Sequence, residues 1–200
     1  MLDRSPALQE FLDSLHDALA EDHSNPAATT SGTHIFERLR DARPALTTSG
    51  TRLPACSHLD GAVAKVAAER PVLARVGRAF AAIEPSLNWR SRAGGDTASA
   101  NFAEGHANAM IVGPGGHENR DDVWVGVSLL APHVRYPDHT HHPEEVYLVL
   151  SKGEFRQGGG DWFEPGMGGT LFNVPDIVHA MRSGDDPLFA IWCLRVEEAA

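Results

Sequence analysis

Tyr136-Pro137-Asp138-His139-Thr140-His141-His142-Pro143-Glu144-Glu145-Val146-Tyr147 places four kinds of metal-capable side chain within twelve consecutive positions. Along an extended chain successive side chains alternate between faces, so His139 and His141 point the same way. After a turn at Pro143, Glu145 and Tyr147 share a face, while Val146, Leu148 and Leu150 fill the opposite, core-facing one. Two neutral imidazoles and a carboxylate meet the needs of a borderline divalent metal such as zinc, iron, manganese or nickel. His179, after Asn173-Val174-Pro175-Asp176-Ile177-Val178, is the candidate for a further ligand, on a strand returning beside the first. The plainer readings are a solvated histidine-rich loop and, for His179, a hydrogen-bonded surface group. Alternation, turn and carboxylate together favour the metal site.

Around this stretch the chain reads as β-structure. From about Asn88 onward, short apolar runs are separated by glycine and proline, the pattern of antiparallel sandwiches and barrels. Ala109–Val112, Val123–Leu130, Glu145–Leu150, Thr170–Val174 and Leu188–Val196 are expected strands. Turns fall at Pro114-Gly115-Gly116, Gly158-Gly159-Gly160, Pro165-Gly166 and Gly184-Asp185. The first half reads helical. Ser5-Pro6 is a start signal for a helix carrying Leu8, Phe11, Leu12, Leu15 and Leu19 on one face. Asn25 to Thr33 reads as a loop, Ile35 to Ala42 as a short helix before Pro44, and Thr47 to Pro54 as another polar stretch. A third helix is expected on Leu59, Val63, Val66 and Ala67, and a fourth opening at Pro71 with Val72, Leu73, Val76, Phe80 and Ile83. With no long linker between the halves, 1–88 is expected to be a helical extension packed on a barrel formed by 89–200. The fold class is thus α+β, mainly β.

Composition excludes several function classes. With 42% hydrophobic and 22% charged residues in 200, the chain can bury a core without staples, and its two cysteines, Cys56 and Cys193, form no metal or redox motif. Seventeen basic against 27 acidic residues, with no basic patch, argue against nucleic-acid and anionic-membrane partners. Met1 to Ala20 lacks a basic stretch followed by a continuous apolar run, and no later run could span a bilayer, so a soluble cytoplasmic protein is expected. A monomer and a homodimer are both compatible with the sequence.

His139-x-His141-x-x-x-Glu145 with Gly153 resembles the first cupin motif, and Pro165-Gly166 followed by Pro175-x-x-x-His179 resembles the second. Seven residues rather than six separate Glu145 from Gly153, Asp176 stands where cupins often have glycine, and Ser183 replaces a frequent asparagine. The resemblance implies a jelly-roll β-barrel, a fold that hosts many chemistries. The finer resemblance is to the cupin-type dimethylsulfoniopropionate (DMSP) lyases, DddQ-like, through the His-Thr-His-His-Pro-x-Glu-Val-Tyr run and a helical N-terminal part of this length. It implies a carbon–sulfur lyase that releases dimethyl sulfide and acrylate by β-elimination, with a divalent transition metal as cofactor. By that resemblance His141, Glu145 and His179 are metal ligands and His139 is a ligand or a close neighbour contacting substrate. Tyr147 is the base and a potential further ligand, and Tyr136 positions or assists the substrate. The chain's only two tyrosines occupy these places. The sulfonium cation would suit an aromatic face, for which Trp124, Trp162, Phe163 and Trp192 are candidates, Trp192 foremost. The competing readings are another metal cupin, a dioxygenase or an isomerase, and a non-enzymatic cupin sensor. For the sensor, a basic helical DNA-binding half is missing.

Overall fold

In a computed structural model, residues 4–45 and 49–196 are described; Thr47 and Thr48 of the expected polar stretch lie outside them. Helix α1 (Pro6–Glu21) starts where expected, with the Ser5 hydroxyl accepting the Leu8 amide and Pro6 in the first turn. Its Leu8, Phe11, Leu12, Leu15 and Leu19 are buried. Helices α3 (Leu59–Ala67) and α4 (Pro71–Ile83) also coincide with their apolar stripes.

The segment 25–33 is not the expected loop but the start of α2 (Pro26–Leu39), which absorbs the short helix read from Ile35. Asn25 caps it by accepting the Ala28 amide at 3.2 Å. The hydroxyls of Thr29, Thr30 and Thr33 donate to carbonyls four residues back, so side chains that suggested a loop are satisfied inside the helix. Its buried face is built from the small Ala28, Ser31 and Gly32 together with Ile35 and Leu39.

The remaining elements are β1 (Trp89–Arg90), the single-turn α5 (Phe102–Gly105), β2 (His106–Val112), β3 (Val123–Leu130) and β4 (Glu144–Val149). They are followed by β5 (Glu154–Gln157), β6 (Thr170–Asn173), β7 (His179–Arg182) and β8 (Leu188–Arg195). The expected strands recur within a few residues, although β2 starts three residues early. The short strands β5 and β7 had no legible alternation. Six strands form an antiparallel sheet in the order β1-β2-β3-β8-β4-β6, and β5 pairs with β7 in a second sheet.

Strand alternation divides the large sheet between two cores. On one face, Val125, Val127, Val146, Leu148, Ile191 and Cys193 join Leu12, Leu15, Ile35 and Phe80 of the helices. On the other, Tyr147, Val149 and Ala190 pack with Phe155 of β5 and Met181 of β7. This is the cupin jelly roll, with the helices outside and the functional face between the sheets. Gly153 of the first motif is there for space: a Cβ would stand 2.4 Å from Leu188 Cδ1. Asp176, at the position often held by glycine, has φ +61°, a conformation aspartate tolerates better than most residues. Ser183 does the tying work of an asparagine, donating to the Ala131 carbonyl at 2.6 Å and accepting the Val134 amide at 2.9 Å.

Candidate metal centre and its cavity

His139 and His141 lie outside any regular strand, contrary to the simple alternation expected. They are held in place by other means. His139 forms an isolated antiparallel bridge with His179, the first residue of β7, through mutual backbone bonds of 3.1 and 2.9 Å. The Asp176 amide donates to the His141 carbonyl at 3.0 Å, bracing the histidine turn from the second motif. His142 turns outward to pair with Asp176 at 3.0 Å.

Each inward histidine commits Nδ1 to a backbone carbonyl two residues away: His139 to Pro137 at 3.0 Å, His141 to Pro143 at 2.8 Å, His179 to Ile177 at 3.0 Å. Those bonds fix the Nδ1–H tautomer and leave Nε2 as the lone-pair nitrogen, the usual preparation of a metal-binding imidazole. The potential ligand atoms of His139, His141 and His179 lie within 4.8 Å of one another. Glu145, buried at the start of β4, brings Oε2 to 3.3 Å from His141 Nε2 and 3.2 Å from His179 Nε2. Asn173 holds that oxygen by donating from Nδ2 at 2.9 Å, and Gln157 fixes Asn173 Oδ1 in turn at 2.7 Å.

The donor set fits a cation. His179 Nε2 is buried and has no hydrogen bond of good geometry. With its Nδ1 proton given to Ile177, it meets the carboxylate and the other imidazoles lone pair to lone pair, an arrangement that only a proton or a metal ion between them relieves. Without a metal, a proton shared between an imidazole and Glu145 is the other solution. Burial, followed by the charge of His179, pushes His139 down to about 4. Burial works against the charged form of Glu145 too, but a proton on Nε2 of His141 or His179 would bond the carboxylate, and that outweighs burial and brings the carboxyl to about 2. Burial likewise opposes the His141 cation, and the bond to Glu145 outweighs it, raising that imidazole. The site thus holds an obligate carboxylate facing three inward nitrogens.

A cavity of about 230 Å³ opens beside this cluster, lined in part by His139, His141 and Glu145. Both tyrosines line it. Tyr147 lies on the same face of β4 as Glu145 and is buried; burial first, then the carboxylate charge, raises its phenol well above the usual range. The Tyr136 hydroxyl accepts from Asn108 Nδ2 at 3.0 Å, and Arg92 Nη1 lies 3.4 Å from it. Of the aromatic candidates, Trp124 and Trp192 line the cavity. Trp162 instead lies among Arg135, Arg156 and Arg182 at 5.5, 5.2 and 4.3 Å, and Phe163 is 39% exposed. Across the sheet, Trp192 is in register with Gly126 of β3 on one side and Tyr147 of β4 on the other. Its Nε1–H donates to Ser128 at 3.2 Å.

Residues 27–190 match the dimethylsulfoniopropionate lyase family. The chain belongs to that family. It is 30% identical over 114 residues to the dimethylsulfoniopropionate lyase DddQ of Ruegeria pomeroyi, a match covering 56% of this chain and 57% of that protein, so it spans little more than half the length of this relative. It is 27% identical to the putative dimethylsulfoniopropionate lyase DddL of Cereibacter sphaeroides, over 84% of this chain and 73% of that one. The crystal structure of Ruegeria pomeroyi DddQ superposes with a TM-score of 0.72 at 25% identity, covering 98% of this chain and 95% of that chain. Arg92, Asn108, Ser128 and Asn173 were absent from the sequence reading of the site. Asn173 had one legible signal, its place at the end of an expected strand just before the second motif; Arg92 sits in an irregular segment with none.

Proposed function

We propose that this family member cleaves DMSP to dimethyl sulfide and acrylate, as a metal-dependent, tyrosine-initiated lyase of the cytoplasm. What carries the reading is that the chain's only two tyrosines border one cavity with a buried carboxylate and two members, His139 and His141, of a three-histidine cluster. His139, His141, His179 and Glu145 would hold a divalent transition metal, zinc, iron, manganese or nickel. Bound there, such an ion neutralises Glu145, favours the phenolate of a neighbouring tyrosine and acts as a Lewis acid towards the substrate carboxylate.

Tyr147 is the base. Glu145 is the largest charge opposing its phenolate, so once that carboxylate is compensated this opposition is removed. The phenolate oxygen takes the proton from the carbon next to the substrate carboxylate. The C–H electron pair becomes the new double bond, the C–S bond breaks, and its electrons leave with sulfur as neutral dimethyl sulfide. Acrylate remains, and Tyr147 carries the proton until it passes to water. Trp192 offers its ring to the sulfonium cation, and the apolar sheet face behind it limits water. The helical part, 1–88, serves as a cover on the barrel, 89–200, and contributes no chemistry. The test is headspace dimethyl sulfide from pure metal-loaded protein, with Tyr147→Phe and Tyr136→Phe compared. Loss greater in Tyr147→Phe is expected. Oxygen consumption in place of sulfide release would move the assignment to a dioxygenase.

A further inference from the structure

Arg92 belongs to neither motif, yet it borders the cavity. Its neighbours in charge are spoken for: Arg135 and Arg156 share Asp138, and Arg182 pairs with Glu154. Among the described residues no carboxylate lies within ion-pair distance of Arg92. The start of its side chain is nonetheless fixed. The Arg92 amide donates to Nε2 of His106 at 2.8 Å, and the Nδ1–H of that wholly buried imidazole donates to the Phe102 carbonyl at 2.7 Å. His106 is further clamped by stacking on Phe102 at 3.8 Å.

From that anchor the guanidinium reaches over the Tyr136 ring, 5.7 Å from its centroid, and touches the hydroxyl together with the Asn108 amide. A phenol oxygen that accepts from two N–H groups has its own proton left to donate elsewhere. One side of the cavity therefore presents a cationic fork and an O–H donor with no anion to match them. Another side is the Trp192 ring, its N–H occupied by Ser128. A small zwitterion placed here has one favourable direction, with its anion at the fork and its cation at the indole.

We propose that Arg92, with the Tyr136 hydroxyl that Asn108 steadies, is the anchor for the substrate's carboxylate and so sets which end of the substrate meets Tyr147. The identity of the substrate rests on the lyase reading; the anchor for a short carboxylate does not, and the two are tested apart. Acrylate and its neutral analogue acrylamide are titrated calorimetrically into metal-loaded wild type, Arg92→Gln and Arg92→Lys. Loss of a charge-assisted hydrogen-bond pair weakens binding by about ten- to a hundredfold, so Arg92→Gln should lose acrylate by that factor, with acrylamide unchanged. Arg92→Lys, which keeps the charge and loses the fork, should recover part of it. In turnover, the KM for DMSP should rise by a similar factor while kcat falls less. Because Arg92 is exposed, the thermal midpoint should stay at the wild-type value. A second variant, Asn108→Asp, places a negative charge beside the same hydroxyl and should also repel acrylate. Wild-type acrylate affinity in Arg92→Gln, or equal losses for acrylate and acrylamide, would overturn the anchor. Arg92-dependent acrylate binding in a protein that releases no dimethyl sulfide would uphold the anchor and remove the lyase reading.

Discussion

Replacing Gly126 by alanine should displace the indole that faces the cavity. A Cβ on Gly126 would stand 2.1 Å from Trp192 Cζ2, 2.3 Å from Cη2 and 2.6 Å from Cε2. Ordinary contact begins near 3.4 Å, so the ring must retreat by more than an ångström. It cannot move sideways freely, since it stands in register between Gly126 and Tyr147 and is tied to Ser128. Overpacking of this kind costs about 1–3 kcal/mol, and losing the bond to Ser128 adds about 0.5–1.5 kcal/mol. The urea midpoint of Gly126→Ala should therefore fall by an amount worth about 2–4 kcal/mol at unchanged m-value, and the KM for DMSP should rise as the ring is pushed into the cavity. The double variant Gly126→Ala/Trp192→Leu separates the clash from other effects. If the clash is the cause, adding alanine at 126 to a Trp192→Leu background should cost little. An unchanged urea midpoint in Gly126→Ala, or the same cost in both backgrounds, would refute this account of how Trp192 is seated.

Tyr147→Phe should keep fold and most of the metal while kcat drops about a hundred- to ten-thousandfold, the usual contribution of a positioned general base; Tyr136→Phe should lose less, and α-carbon deuterium exchange should follow the same order. His141→Ala and His179→Ala should each abolish stoichiometric metal by elemental analysis, because each removes an imidazole already oriented by a backbone carbonyl. Alanine at His34 or His58 should leave turnover unchanged, measured by the same sulfide assay. Burial lowers His106 and His117 below their ordinary value of 6.5. A depressed histidine stabilises the fold fully above that value and less as pH falls through its folded pKa, so the thermal midpoint of metal-free protein should decline as pH falls below about 6.5, with His139, lowered to about 4, contributing beside them. His106→Gln should flatten that decline.

Much of this architecture was legible because it is written in local patterns. The stripe of Leu8, Phe11, Leu12, Leu15 and Leu19 and the turn glycines mark elements by period and punctuation. The histidine stretch marks its own chemistry. Helix α2 was misread because its thronging threonines and serine favour loops unless a surface demands small side chains, and the demand comes from a sheet more than a hundred residues away: Ser31 donates to Glu144. The alternation applied to His139 and His141 reached the right outcome by an incomplete route, since a bridge to His179 and a brace from Asp176, rather than a continuous strand, orient them. Arg92 and Asn108 could not be read because nothing in their neighbourhood distinguishes them, and the one signal at Asn173 did not name its partner; only the register sets Asn108 beside Ser128 and Asn173 beside Glu145.

The central claim is that these histidines, Glu145 and Tyr147 form one lyase site. It is tested most directly by incubating the pure, metal-loaded chain with DMSP and quantifying headspace dimethyl sulfide and dissolved acrylate in the same vial. Equal amounts of the two products are expected, falling to the spontaneous rate after chelation and returning when metal is restored. Metal-loaded, folded protein that releases neither product above the spontaneous rate would contradict it.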